Sequence, residues 1–473
     1  ELAMPRHLAD GEEYELPIEE LVAHGARLFS ARFTVQEGAG RPMAKGTGSV
    51  LSDANSPLVF PNNFNRISGP DANSCAGCHT QPFGIAGGSG DVVANAFVAA
   101  HRFDRVDFGA DSKQATVSSR DETGRQVDLN TVGNSRATVG LFGAGYVEML
   151  AREITGELQR LRDLLEVGES VHLESKGIDF GTLRRIEDGR YDTSRVIGLP
   201  AASLATWGAD DPPSLAVRPF HQSGQIASLR EFTDNALVQH HGMQSTERFG
   251  AGIDGDGDGF VDEISRADLS ALVVYQATLP VPGRVVPRDP VYAAAIARGE
   301  TLFASVGCAS CHISRLPLES KGHLFQEPGP FHREAQLNPG EAPPLVVDLN
   351  DERLPMPRLE EDENGITWVP VWSDFRLHDI TDGPDDPDRE ALDPAQPPGR
   401  KSFFEGNSRF LTSRLWGVGN QAPYFHHGKL TTLREAVLHH GGDAAESRAA
   451  FEALPDGDRD AVIEFLKSLQ VLP

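Results

Sequence analysis

The chain has 473 residues, of which 39% are hydrophobic and 24% charged, and a formal net charge of −26. That length allows more than one domain and sizeable cores, whereas so acidic a surface excludes a nucleic-acid binder, which needs a basic face for phosphate. No apolar run approaches membrane-spanning length, and Glu1-Leu2-Ala3 does not open a signal peptide, so a mature or trimmed chain is expected.

In chain order, the first twenty residues are polar. Ile18 to Phe29 then has helical spacing of Leu21, Val22 and Leu28. A Gly/Asn/Pro-rich insertion, 37–70, leads to Cys75-Ala76-Gly77-Cys78-His79. C-x-x-C-H is the attachment signature of a c-type haem. Each cysteine sulfur adds to a haem vinyl group, and the tethered histidine supplies an axial nitrogen to the iron. An insertion at 146–219 holds a helical stretch at about 153–166. Ser228-Leu229-Arg230-Glu231 reads as a capping box at a helix start, and His240-His241-Gly242 follows.

Asp254-Gly255-Asp256-Gly257-Asp258-Gly259 resembles the first half of an EF-hand loop, with acids at positions 1, 3 and 5 and glycine at 6. Position 12 is Ser265, so Asp262 and Glu263 complete a shorter loop, and a structural calcium ion is expected. The alternative is an acidic turn. Leu279-Pro280-Val281-Pro282-Gly283 marks a domain boundary. Beyond it, Cys308-Ala309-Ser310-Cys311-His312 repeats the haem signature and uses the last of the four cysteines. As zinc half-sites or thiol redox pairs, these motifs leave the histidine after each second cysteine unexplained. A Pro/Asp/Gly-rich insertion, 313–400, ends in a stretch from Asp382 expected to be an exposed loop. A last helix at about 457–470 carries Val462, Phe465, Leu466 and Leu469 on one face.

Several blocks recur in the same order. Gly25-Ala26-Arg27-Leu28-Phe29 is echoed by Gly299-Glu300-Thr301-Leu302-Phe303. Leu141-Phe142-Gly143-Ala144-Gly145 matches Leu415-Trp416-Gly417-Val418-Gly419. Phe220-His221, Ser228-Leu229-Arg230-Glu231 and His240-His241-Gly242 match Phe425-His426, Thr432-Leu433-Arg434-Glu435 and His439-His440-Gly441. The expectation is a mainly α fold. It comprises two cytochrome c-like haem domains, 1–282 and 283–473, related by internal duplication and carrying long loop insertions. Two covalent haem c groups point to the periplasm or the outside of the cell, where such haems are normally made. The acidic surface suits a basic redox partner or serves solubility alone.

With Ala422-Pro423-Tyr424-Phe425-His426 and Thr432-Leu433-Arg434-Glu435-Ala436-Val437, the two haem motifs resemble the bacterial di-haem cytochrome c peroxidase and MauG superfamily. Ser373-Asp374-Phe375-Arg376-Leu377-His378-Asp379 and His439-His440-Gly441-Gly442 are similar to its di-haem oxidoreductase branch. The resemblance implies a reactive N-terminal haem facing an electron-transfer C-terminal haem. Relatives place the sixth ligand of the C-terminal haem fourteen positions after the histidine of the Phe-His block, as methionine in the peroxidases and tyrosine in MauG. Here that position is His440. A bis-histidine haem has a lower potential than a His/Met one. In the alternative His439 and His440 only cap a helix C-terminus, and His426 and His427 are expected at a propionate or in the outer pocket.

The resemblance also implies a distal glutamate, the acid–base group of peroxide cleavage. Its register holds Arg230 here, with Glu231 one place later. Both are therefore candidates, Arg230 as a partner of peroxide or of a propionate. His241, the counterpart of His440, is a third candidate, as a ligand or a mobile distal group, and His101 a fourth. The implied activity is reduction of hydrogen peroxide at the first haem. Electrons come from a small cytochrome, a cupredoxin or a small-molecule donor and pass through the second haem, with Trp416 a candidate relay. The rivals are a dioxygen-using enzyme similar to the rubber oxygenases, a bis-histidine electron carrier, and an oxidase acting on a partner's tryptophan.

Overall fold

The computed structural model describes residues 2–39, 65–67, 74–80, 86–88, 95–98, 119–120, 126–127, 133–209, 211–254, 258–319, 323–331, 343–356, 358–393, 395–396 and 401–472. His101 and Asp256 lie outside them. Among the described residues helix outweighs strand, 36% against 16%, and the strands form small separate antiparallel sheets.

Two helix pairs are built alike. Ile18–Ser30 (α1) buries Leu21, Leu28 and Phe29 against Arg266–Ala277 (α4 in chain order). Pro290–Ser305 (α5) buries Ile296 and Phe303 against Asp456–Ser468 (α8). Gly25 on α1 meets the backbone carbonyl of Ala271, and Gly299 on α5 meets that of Ala461. A Cβ at either position would overlap the facing backbone, so glycine sets how closely each pair approaches. One turn on, Phe29 packs on Tyr275 with ring centres 5.2 Å apart, and Phe303 packs on Phe465 at 5.3 Å.

Between α1 and α4 lie the long helix Ala144–Asp163 (α2) and Leu229–Ala236 (α3). The sequence places α2 at about 153–166, but the helix begins nine residues earlier. Its first turns bury Tyr146, Val147, Met149 and Leu150 in near succession. They show no one-sided stripe because they are covered all round. The sequence also misses a three-stranded sheet, Ser170–Ser175 (β1), Ile178–Arg185 (β2) and Tyr191–Val196 (β3), in meander order. Its inner face is Leu173, Ile178, Phe180 and Leu183, an alternation interrupted by polar positions.

The proline-rich link is packed: Leu279 and Val281 are buried, and Gly283-Arg284 pairs antiparallel with Leu469-Gln470. The stretch after Asp382 is irregular but packed, with Asp388, Glu390 and Leu392 buried. Asn134 donates from Nδ2 to the Leu392 carbonyl and accepts from its N–H, both at 2.9 Å. Arg136 donates to both Glu390 oxygens. Buried backbone needs such partners, and the strand Gly133–Arg136 supplies them.

One hydrophobic cluster is centred on α1, α2 and α4, another on Phe303, Trp372, Phe451, Phe465 and Leu466. Trp416 packs against both. Its ring lies over Gly143 and its Nε1–H donates to the Pro370 carbonyl at 2.7 Å. Among the described residues, no helix is long and apolar enough to cross a membrane.

Candidate functional site

The second C-x-x-C-H motif follows directly from α5. Cys308–Ser310 forms a single 3-10 turn that presents His312 beside Phe303, with ring centres 6.1 Å apart. His312 Nδ1 lies 3.0 Å from the Trp372 carbonyl. A carbonyl only accepts, so Nδ1 carries the proton and Nε2 keeps its lone pair. Opposite stands the helix Leu433–Leu438 (α6), followed by Ala445–Glu452 (α7). Thr432 and Glu435 close a capping box at the start of α6. At its end the His440 Nδ1–H donates to the Ala436 carbonyl at 2.7 Å, again reserving Nε2.

The His312 and His440 rings are 6.5 Å apart, centre to centre. Two metal–imidazole bonds of about 2 Å each, plus two half-rings, give nearly that separation. Between and around the rings lies a cavity of about 300 Å³, walled by Cys308, Cys311, Phe303, Leu415, Val418, Leu433, Val437 and Leu466. Burial, with His440 as the next cause, pushes His312 down to about 4; burial also lowers His440. Both imidazoles are thus neutral at pH 7, as metal ligands must be. The residues present fit a haem, which Cys308, Cys311, His312 and His440 would hold.

The neighbouring histidines have other duties. His427 Nε2–H and His439 Nδ1–H donate to the two oxygens of Asp388, both at 2.8 Å. Burial raises the Asp388 carboxyl, but these two bonds outweigh it and hold it at about 2. His439 is therefore a bracing residue. His426 is buried and stacked on Phe410 at 3.7 Å, lining the cavity. His378 is held by Asp374 at 2.8 Å. Burial works against its charge, but Asp374 and the neighbouring Cys311 raise it to about 10. Sequence reasoning used Asp374 and His378 only as marks of resemblance and missed Asp388. A carboxylate in an irregular loop carries no periodic signal.

At the first motif, Ser74 caps the one-turn helix Cys75–Cys78 by accepting from the Gly77 N–H. His79 Nδ1 lies 3.0 Å from the Val139 carbonyl, and its ring is 5.9 Å from Phe29. These contacts correspond to those of His312 with Trp372 and Phe303. His241 reaches the same place: its Nε2 is 3.8 Å from Cys75 Sγ. It ends a π-helical turn, Leu237–His241, that continues α3. Such turns re-aim side chains and often occur at functional sites.

Burial pushes Cys75 up to about 12 and Cys308 up to about 11. Burial thus disfavours a thiolate at both places in the metal-free protein, whereas a thioether carries no charge to bury. Among the described residues, the single group of three or more side chains close enough to share an ion is Cys311, Asp374 and His378. A four-cysteine zinc site is therefore not formed.

Arg230 is a correction. It is 1% exposed and donates to both oxygens of Glu247, to Glu327 Oε1 and to Ser270 Oγ. A guanidinium fully used in a buried ion cluster does not face peroxide or a propionate. Glu231 stands in the first turn of α3, where its N–H donates to Ser228 Oγ at 3.1 Å. That contact belongs to the capping reading.

In the acidic loop, Asp254 accepts from the N–H groups of Asp258 and Gly259, and Asp262 from that of Gly252. Glu263 is buried and accepts from the Gln244 N–H at 2.8 Å.

Residues 365–469 match the family model described as "Di-haem oxidoreductase, putative peroxidase". Over this span the chain is similar to that family. The span holds Asp374, His378, Asp388, Trp416 and His440, while the Cys308–His312 motif precedes it. No curated protein matches the chain. Among solved structures, hydrazine synthase of Kuenenia stuttgartiensis is 14% identical, covers 98% of this chain and 94% of its own, and has a TM-score of 0.36. A MauG-like protein associated with microbial copper homeostasis is 17% identical, with coverage of 68% and 88% and a TM-score of 0.25. At TM-scores below 0.5, neither likeness bears on the fold or role of this chain.

Proposed function

We propose that this di-haem oxidoreductase is a periplasmic, peroxidase-like enzyme with two covalent haem c groups on duplicated halves, 1–282 and 283–473. When bound, the haems supply irons that take up and release single electrons. The observation that carries the reading is the difference between the two histidine environments. His312 and His440 close the second site from both sides at bis-histidine spacing, which suits electron transfer. At the first site His79 is the proximal group. His241 is the distal one, able at Nε2 to receive the proton of peroxide and return it to the leaving oxygen. Trp416, packed against both clusters, lies on the route between them. A small redox protein or small-molecule donor supplies the electrons. A calcium ion at Asp254, Asp256, Asp258 and Asp262 completes the reading, and a chelator is expected to lower Tm.

The supporting result is two thioether-linked haems by mass, one low-spin and one high-spin or convertible ferric iron, and donor oxidation when peroxide is added. Two permanently low-spin irons that ignore peroxide would leave an electron carrier. One observation favours a second reading. Arg230, in the register of the relatives' acid–base group, is locked in an ion cluster, which suits a dioxygen-using enzyme. A stable dioxygen adduct without peroxide turnover supports that reading.

A further inference from the structure

Three cationic side chains line the cavity between His312 and His440: His378, Arg448 and Arg414. Two have their carboxylates. His378 is paired with Asp374, and Arg448 donates to both oxygens of Asp382, at 2.8 and 3.2 Å. Arg414 has none among the described residues. Its recorded contact is with the ring face of Trp416, Cζ lying 5.8 Å from the ring centre. Burial lowers it to about 10, which still leaves it charged at neutral pH. An arginine held in a cavity wall without a counter-ion is costly unless an anion completes the site. Asp443, an acid on the same wall, accepts from the Asp379 N–H and lies 3.6 Å from His378, so it does not serve Arg414.

We propose that Arg414 binds a propionate carboxylate of the C-terminal haem and thereby fixes the propionate edge of that haem beside Trp416. The inference rests on the haem reading above. Cys308 and Cys311 take the vinyl groups, and the same macrocycle carries two carboxylates that need partners. The guanidinium offers a planar fork that matches a carboxylate. Trp416, on which Arg414 lies, also covers Gly143, the start of the helix whose preceding segment accepts from His79 through Val139. The charged edge of the second haem therefore faces the seam with the first half of the chain. Pairing removes the propionate's negative charge from the iron's surroundings, so the guanidinium raises the potential of this haem.

The test is spectroelectrochemical titration of the two-haem protein over a range of pH, with wild type, R414Q and R414K. Haem content by mass and by the pyridine haemochrome checks the underlying reading: a wild-type chain without a thioether-linked haem at Cys308 and Cys311 ends both. With the haems attached, R414Q is expected to shift the midpoint potential of the bis-histidine haem downward. That potential should also become pH-dependent where the freed propionate titrates, while R414K keeps most of the wild-type value. An R414Q protein with both haems attached and an unchanged potential and pH profile overturns the proposal. Should R414Q fail to accumulate, wild type decides. A paired propionate predicts a flat potential through the carboxylate range, and a steep one overturns the assignment.

Discussion

The imidazoles of His312 and His440 stand 6.5 Å apart, each with Nδ1 donating to a backbone carbonyl. Each ring is thus held in one tautomer, with Nδ1 carrying the proton and Nε2 its lone pair. On the proposed two-haem reading, His440→Ala is expected to leave both haems attached, because the thioethers would be made by Cys308 and Cys311. One ferric haem should change from low to high spin, and its potential should move. An unchanged spectrum would remove His440 from the ligand set.

Asp388 holds His427 and His439 on its two oxygens, and His439 precedes His440 in the chain. Asparagine keeps the shape but offers one acceptor, so one histidine N–H faces an amide N–H₂. Asp388→Asn is expected to cost about 1–3 kcal/mol in urea unfolding. The pH dependence has a definite sign. The folded carboxyl, at about 2, lies below the ordinary value of about 3.9. The unfolded chain therefore binds the proton more readily. The contribution to stability is complete above about pH 4 and is lost as pH falls toward 2. The wild-type and variant stability curves should converge over that interval; parallel curves would mean that Asp388 carries no such charge.

The sequence was most legible where a motif and a period coincide. The two C-x-x-C-H turns, α1 and α8 lie at or within a residue or two of where spacing puts them. The fourteen-residue count reaches a histidine that does face His312. Burial hid what the pattern missed. The start of α2 is apolar all round, and the sheet β1–β3 mixes inner and outer positions. Arg230 shows the opposite failure. Register marked it as reactive, but register says nothing of Glu247 and Glu327, which lie 17 and 97 residues away along the chain. Asp388 and Arg414 become legible when the cavity is seen as a whole, since each is defined by what surrounds it.

Removing Arg230 would leave two carboxylates in its buried cluster with no cation. Arg230→Met is expected to cost about 3–5 kcal/mol of stability, read as a lower midpoint in urea unfolding. The spectra of the surviving folded protein should be unaltered. A stable variant that lost only peroxide turnover would restore Arg230 to the reactive site.

Gly299 and Gly25 make the same prediction at two helix crossings. Alanine at either meets the facing carbonyl of Ala461 or Ala271, and the helices must separate. Each substitution is expected to cost about 1–3 kcal/mol from overpacking. Because α5 leads into Cys308 and α1 packs beside His79, the two variants should perturb different haem spectra. G299A should alter the low-spin haem and G25A the other. Equal perturbation of both haems by either variant would show that the halves do not respond separately.

On the proposed reading, His241 decides what the first haem does. It lies 3.8 Å from Cys75 Sγ, at the end of a π turn, while α1 and Val139 hold His79. As the distal acid–base group, its loss in His241→Ala should reduce peroxide turnover by about 10²- to 10⁴-fold. The low-spin spectrum of the His312/His440 haem should stay as it is. If His241 instead ligates the first iron, the variant acquires a new high-spin ferric signal and reacts with peroxide faster. Turnover and both haem spectra unchanged in H241A would place the proton chemistry on another residue.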